Sequence, residues 1–405
     1  MSGRRVVGGV VAFLVGLALL MPFAGAAGAG AAGGPVRPLL AWGFNLDGEL
    51  GDGSNTDAGI PVAVRLPRGT RVVQARAGCD HAIALTAAGR VLAWGDDTFG
   101  QLGDGSDQQR FTPVRVKLPP GGSKIISISA GCDHNLALTS SGRVFAWGYN
   151  IDGELGDGTT TNRALPVKVR FPTGTRIKSI SAGYGDSLAV TTSGRVLAWG
   201  DNSYGQLGDG NFTGVARKPL SVKLPGGVKI AEVACGAFHN LAVTTTGLVY
   251  GWGYNAHGEL GDKSVANADL PVRVALPTGT RVSQVSAGVN HSVALTAAGH
   301  VLAWGFDIYG QLGDGTTAPV SRDVPVRVKF SAPVKIKAIG AGRDHAVVIT
   351  TAGRVLAWGY NFYGQLGNGG LASSARPVPV RLKQGLRPLA LGLGPGAEFS
   401  LLIVH

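Results

Sequence analysis

Seven tryptophans, Trp42, Trp94, Trp147, Trp199, Trp252, Trp304 and Trp358, stand 52, 53, 52, 53, 52 and 54 residues apart. So regular a period over most of a 405-residue chain marks a repeat architecture, and it overrides a domain count taken from length. Each Trp opens the same glycine-rich phrase: WGDDTFGQLGDG at Trp94, WGYNIDGELGDG at Trp147, WGFDIYGQLGDG at Trp304 and WGYNFYGQLGNG at Trp358. Before it runs T-x-x-G-R-V-x-A-W, as in residues 86–94, and before that A-G-x-D-H-x-x-A-L, as in residues 77–85. After the loop comes P-V-x-V-x-L-P, as in residues 113–119.

Each repeat thus holds four short strand-like runs. In the third these are predicted at Ile125–Ala130 (A), His134–Thr139 (B), residues 143–148 (C) and residues 166–171 (D). The A–B and B–C links are tight and the C–D link is long and glycine-rich. No helix-length segment intervenes, so parallel crossovers are excluded, and 65 glycines are too many to hide in a helical bundle. Four antiparallel strands repeated seven times predict an all-β fold, a seven-bladed β-propeller. Small residues at the ends of A strands suit the crowded axis, and Lys or Arg alternating along D strands suits an exposed edge. The 47 residues after Trp358 and the five of 38–42 together make one more repeat of 52. N- and C-terminal strands are therefore expected to share one blade and close the ring, giving a single domain over residues 38–405.

The first residues read differently. Arg4 and Arg5 precede an apolar run over residues 6–23, and small residues rich in A-x-A options follow. This is the order of a signal peptide over residues 1–29, with cleavage expected between 26 and 32. It predicts a secreted, extracellular chain, expected to be a monomer. Three cysteines cannot all pair within one chain. Cys79 and Cys132 hold the same slot in adjacent blades. A disulfide needs Cα atoms within about 7 Å, and slots on neighbouring blades are expected to lie farther apart, so free thiols are predicted.

The phrase WGxNxxGQLGxG with GxxHxxAL resembles the regulator of chromosome condensation repeat family, in seven copies over about residues 38–405. The resemblance implies a seven-bladed propeller that binds partners through its loop faces. The family's plant ultraviolet-B photoreceptor carries tryptophans just after the A-strand Gly. Here those slots hold Cys79, Cys132, Tyr184, Ala237, Val289, Arg343 and Ala397, so photoreception does not transfer. The nuclear member exchanges guanine nucleotide and binds chromatin, which are not targets of an exported chain. A secreted bacterial propeller that inhibits β-lactamase is similar in export and in lacking catalysis, but its repeats are shorter.

Several residue sets invite chemistry. Histidines recur at the start of strand B, at His81, His134, His239, His291 and His345, with Asp186 and Phe399 in the two other slots. A metal needs ligands about 2 Å from one ion, and one His per blade predicts instead a structural hydrogen bond to neighbouring backbone. The D-G-E-L-G-D-G loops offer oxygens for calcium, yet Glu alternates with Gln at one place (Glu49, Gln101, Glu154, Gln206), which is odd for a ligand. No phosphate-binding loop or nucleophile elbow is present. The reading is a non-enzymatic chain with no catalytic residue, cofactor, metal or small-molecule substrate.

Charge then selects a surface. In an antiparallel four-strand blade the A–B and C–D links leave from one side, and 24 of the 25 acids fall in or beside them, Glu232 excepted. Aromatics gather there too. The predicted partner-binding face comprises Phe44, Asp47, Asp80, Phe99, Asp133, Tyr149, Asp152, Tyr184, Tyr204, Phe238, Tyr254, His257, Phe306, Tyr309, Asp344, Tyr360 and Tyr363, its target an unidentified extracellular protein. The alternative is an anionic polymer, a cell-envelope polyanion or nucleic acid, on D-strand cations Arg115, Lys117, Lys168, Arg170, Arg327, Lys329, Arg381 and Lys383. Inhibition of a β-lactamase-type enzyme or guanine-nucleotide exchange rank lower.

Overall fold

The computed structural model describes residues 38–120, 123–316 and 320–405. The predicted signal peptide lies outside the described residues. Seven four-stranded antiparallel sheets follow one another, all in strand order A-B-C-D. In the repeat analysed above, A and B occupy Ile125–Ala130 and His134–Thr139, as expected. Strand C is Val144–Gly148, one residue shorter, because Arg143 N is still bonded to Thr139 Oγ1 in the turn (3.0 Å). Strand D is Arg163–Lys168, three residues earlier than predicted. Pairing starts at Arg163↔Gly148, and the register then breaks across Pro166 before resuming at Val167↔Ala146. Proline is tolerated there because D is an edge strand.

Successive A strands lie beside one another around an axis, and Pro388–Leu391 returns to lie beside Val72–Ala77. The closing blade is built as the repeat arithmetic requires. Pro388–Leu391 and Phe399–Val404 supply A and B, while Leu39–Gly43 and Ala58–Ala63 supply C and D. Strands C and B of this blade pair over five residues, from Leu39↔Ile403 to Gly43↔Phe399.

The apolar core lies between blades rather than within one. Leu39, Ala41, Leu401 and Ile403 of the closing blade share a buried cluster with Val72, Ala75, Leu92 and Trp94 of the next. Every tryptophan is fully buried. Each indole Nε1 donates to the backbone carbonyl of a Glu or Gln in the C–D loop of the preceding blade. Trp94 reaches Glu49 O at 2.7 Å, Trp147 reaches Gln101 O at 2.9 Å and Trp199 reaches Glu154 O at 2.7 Å. The series closes with Trp42 on Gln365 O, 2.8 Å apart in space and 323 residues apart in sequence. The glycine in the phrase Glu-Leu-Gly or Gln-Leu-Gly is required by this contact: Gly51 has φ +62°, and a methyl there would lie 2.7 Å from Trp94 Nε1.

The B-strand slot is a second clasp. Nε2 of His81 meets Asn135 Oδ1 (2.9 Å), and those of His134, His239 and His345 meet Ser187, Ser292 and Ser400 Oγ at 2.8–2.9 Å. Asn240 Nδ2 donates to Asp186 Oδ2 at 2.7 Å. The partners are side chains of the next blade, where backbone was expected. The rule explains its exceptions. His291 lacks a partner because the next blade has Ala346 in the partner slot, and Phe399, where the polar residue is absent, shares an apolar cluster with Ala82. Burial pushes His134, His239 and His345 down to about 3 and His291 to about 4, so all are neutral.

Deleting residues 388–405 strips the closing blade of its A and B strands and opens the ring. Thermal unfolding followed by circular dichroism should then lose its cooperativity. A truncated chain that melts as sharply and as hot as the full one would contradict ring closure.

Candidate functional site

The A–B and C–D links converge on one end of the ring. All seventeen residues of the predicted partner-binding face are half-buried there. The loops that carry them are tied by hydrogen bonds of their own. The side-chain oxygen of Asn45 accepts from Leu50 N at 2.9 Å, and Asn150, Asn255 and Asn361 do the same to Leu155, Leu260 and Leu366. Asp97, Asn202 and Asp307 fill the same role in the other blades.

Residues from neighbouring loops meet at the seams between blades. Aromatic rings pair edge to face at four of them: Phe99 with Tyr149, Tyr204 with Tyr254, Tyr309 with Tyr360, and Tyr363 with Phe44, at centroid separations of 4.8–5.0 Å. At a fifth, His257 tilts against Phe306 at 4.5 Å. Phe238 touches Tyr184, Tyr204 and Tyr254, and Tyr360 touches Tyr363. The rings therefore form two continuous arcs, one from Tyr184 to Phe306 and one from Tyr309 to Phe44, and a separate pair, Phe99 with Tyr149. The two remaining seams are acidic. Burial and then the charge of Asp96 raise the Asp47 carboxyl, and burial and then Asp201 raise Asp152.

At the axis the structure corrects the cysteine expectation. Cys79 and Cys132 form a disulfide, with Cα atoms 4.5 Å apart. The A–B links crowd together at the axis and hydrogen-bond to one another, Cys79 N to Cys132 O at 3.1 Å and Cys132 N to Gly183 O at 3.0 Å. Equivalent slots are thus far closer than neighbouring blades are on average. Cys235 is a buried free thiol. The disulfide floors a shallow depression of about 490 Å³ lined by Phe44, Asp80, Tyr184, Arg343, Tyr363 and Glu398. Arg343 bridges Glu398 at 2.9 Å and Asp344 at 3.6 Å on one wall. On the opposite side, burial and then neighbouring carboxylates push Asp80 up to about 6 and Asp133 to about 7.

The acids of this face do different jobs. Asp104, Asp157 and Asp314 hold their loops by ion pairs to Arg110, Arg163 and Arg322 at 3.0–3.3 Å. Glu49, Glu154 and Glu259 are fully buried. In two of the Gln blades the amide donates outward, from Gln101 to Asp96 at 2.6 Å and from Gln206 to Asp201 at 2.7 Å. In the Glu blades that donor is missing, and burial pushes Glu49 and Glu154 to about 8 and Glu259 to about 7. Burial thus keeps these carboxyls largely protonated below about pH 7. The face is accordingly less negative than its acid count, and its continuous feature is aromatic. Sequence reasoning placed Phe362 among the aromatics of this face but passed over the three aliphatic loop tips at the same repeat position. Leu46, Ile151, Ile308 and Phe362 occupy one repeat position and are 46–61% exposed. Their signal is an apolar residue directly after Asn or Asp in a glycine-rich loop.

The sequence profile of the RCC1-like domain matches residues 38–402. The chain belongs to the RCC1-like domain family. Among its relatives, the Ultraviolet-B receptor UVR8 of Arabidopsis thaliana is 35% identical over 332 residues, 82% of this chain and 74% of that protein. The human E3 ubiquitin-protein ligase HERC2 is 32% identical over 361 residues, which are 88% of this chain and only 7% of that protein. The yeast RCC1 protein Prp20, solved bound to Kap60, superposes with a TM-score of 0.81 at 24% identity, covering 91% of this chain and 89% of that one. Human WBSCR16 superposes at 0.80 and 22%, covering 91% and 99%. These two structures share the RCC1-like fold.

The buried glutamates give this propeller a signed pH dependence. Glu154 keeps its proton in the fold until about pH 8 but ionises near 4.5 when unfolded. Unfolding therefore releases a proton between those values, and stability falls as pH rises through that window, by at most about 1.4 kcal/mol per pH unit per group. Glu154→Gln does not titrate. Its melting temperature should equal the parent's near pH 4, exceed it increasingly up to about pH 8, and then keep a constant lead. A lead that shrinks as pH rises would contradict the neutral carboxyl.

Proposed function

We propose that this RCC1-like propeller is an exported, non-enzymatic recognition protein that binds a partner protein through the face carrying the A–B and C–D links. The carrying observation is the pair of aromatic arcs. Half-buried rings locked edge to face offer large apolar area at little further cost in side-chain entropy, which is how interface hot spots are built. The apolar tips Leu46, Ile151, Ile308 and Phe362 extend that area outward. Yeast RCC1 was solved bound to Kap60, and its binding to Gsp1p and histones was examined alongside its structure. Those partners belong to that protein; what supports the reading here is that the same fold serves protein recognition. Reception of ultraviolet-B light is not proposed, since the slots around the axis carry the disulfide and Tyr184 instead of tryptophan.

One observation favours a second reading. Among the described residues, every salt bridge to Lys or Arg lies on the loop face. The D-strand cations Arg115, Lys117, Lys168, Arg170, Arg327, Lys329, Arg381 and Lys383 are in none of these, and would suit an anionic polymer.

One comparison separates the two. Tyr309→Ala with Tyr363→Ala removes both rings flanking Tyr360, while Lys117→Ala with Lys329→Ala depletes the rim. Against a partner recovered from the native secretome, the tyrosine pair should weaken binding by about 2 kcal/mol or more. The rim pair should leave it nearly unchanged. The reverse pattern, with binding that collapses steeply with salt, would move the function to the rim.

Export rests on the sequence of residues 1–32, and the Cys79–Cys132 disulfide supports it, because such bonds persist in oxidising compartments. Protein recovered from culture supernatant should begin between residues 26 and 32 by N-terminal sequencing. Recovery with Met1 intact would contradict processing.

A further inference from the structure

The seven seams serve as internal controls for one another, and one of them breaks the pattern. Each seam sets the Glu or Gln of one C–D loop beside the residue that precedes the B-strand slot of the next blade. Where that neighbour is acidic, the loop residue is Gln: Gln101 with Asp133, Gln311 with Asp344, and Gln365 with Glu398. Gln311 Nε2 points at Asp344 Oδ1 at 3.4 Å, so the amide serves the carboxylate. Where the loop residue is Glu, the neighbour is uncharged: Gly185 for Glu154 and Asn290 for Glu259. Gln206 meets Phe238. Only Glu49 is set against an acid, Asp80, and a third, Asp47, stands two residues before it.

These three carboxylates converge. One oxygen from each lies within 4.8 Å of the others. Glu49 is fully buried; its Oε2 accepts from Asp47 N at 3.0 Å, and its Oε1, like that of Glu154 and Glu259, has no hydrogen-bond partner, but only here do two further carboxyl groups face it. Asp47 gives one oxygen to Gln109 Nε2 at 2.8 Å. None of the three is in a salt bridge among the described residues, and Arg343 is engaged by Glu398 and Asp344. Oxygens about 2.3–2.6 Å from one calcium ion stand at most about 5 Å apart, which is the span seen here.

We propose that Asp47, Glu49 and Asp80 bind one hard divalent cation of calcium's class, at the seam between the Trp42 and Trp94 blades. The ligands come from two blades, so the ion would staple them, with water completing the shell. The Glu/Gln exchange that argues against a ligand in every repeat is what makes this site single. Gln311 turns an amide donor toward its acidic neighbour, and only this seam sets a loop Glu against an acid, with Asp47 as a third carboxyl group.

The test is isothermal titration of the full chain with CaCl2, and separately with MgCl2, near neutral pH, beside melting curves with and without the ion. The parent should bind one calcium with Kd in the ~10⁻⁴–10⁻³ M range of extracellular modules, and its melting temperature should rise. Glu49→Gln and Asp80→Asn should each weaken binding about tenfold or more. Glu154→Gln should bind as the parent does. Glu49→Gln is expected to fold, since four blades carry Gln at that place. No saturable binding by the parent would overturn the proposal and leave a proton on Glu49 Oε1 in the ion's place. Equal loss from Glu154→Gln would overturn it as well.

Discussion

The rest of this propeller depends on one hydrogen bond made seven times, from an indole Nε1–H to the backbone carbonyl of a Glu or Gln on the preceding blade. A buried carbonyl left without a donor costs about 1–3 kcal/mol, so the clasp cannot slip cheaply. Several of these carbonyls take two donors. Gln101 O accepts from Trp147 Nε1 and from Asn135 Nδ2, and Glu154 O accepts from Trp199 Nε1 and Ser187 Oγ. The second donor is also the hydroxyl or amide that meets the B-strand His of the preceding blade. At three seams, those that join His81 to Trp147, His134 to Trp199 and His239 to Trp304, indole, carbonyl, hydroxyl or amide, and imidazole thus form one buried polar chain in an otherwise apolar interface.

The indole hydrogen bond, made at every seam, fixes the backbone of the Glu or Gln, and so decides where its side chain and the residues around it point. The position two residues before it and the one five residues before it are delivered to the seam as a pair. Where the pair is aromatic from both blades, rings stack edge to face; where it is acidic, carboxylates crowd, and the Asp47 and Asp152 carboxyls are raised. The same geometry that holds the ring together therefore writes the pattern of the loop face. Binding residues can vary on these loops without disturbing the clasp, which is the usual division of labour between scaffold and site.

Much of this was legible in the sequence. The tryptophan period and the complementary terminal lengths led to a closed seven-bladed ring, because each repeat is one blade and the arithmetic leaves one blade shared. Strands A and B of the third repeat fell where alternation placed them. Strand D did not, since pairing on an edge survives a break at Pro166 that a pattern reading takes as a boundary. The Cys79–Cys132 bridge was misjudged because spacing was reasoned from blades, whereas the axis draws their links within bonding distance. The His partners lay beyond a reading of single repeats. They become visible only when each slot is compared with the residue after the same slot one repeat later, as with His291 and Ala346 or Phe399 and Ala82. The meaning of Glu against Gln was hidden for the same reason: it depends on a neighbour in another blade.

The central claim is that seven equivalent indole clasps close the ring with no weak seam. Hydrogen exchange of the seven indole Nε1–H groups, followed by NMR on protein labelled at tryptophan nitrogen, tests it directly. All seven should be protected to a similar degree and should exchange together as the whole fold opens, Trp42 included, although its acceptor is 323 residues away in the chain. Rapid exchange of the Trp42 indole while the other six stay protected would show an open seam and contradict the account.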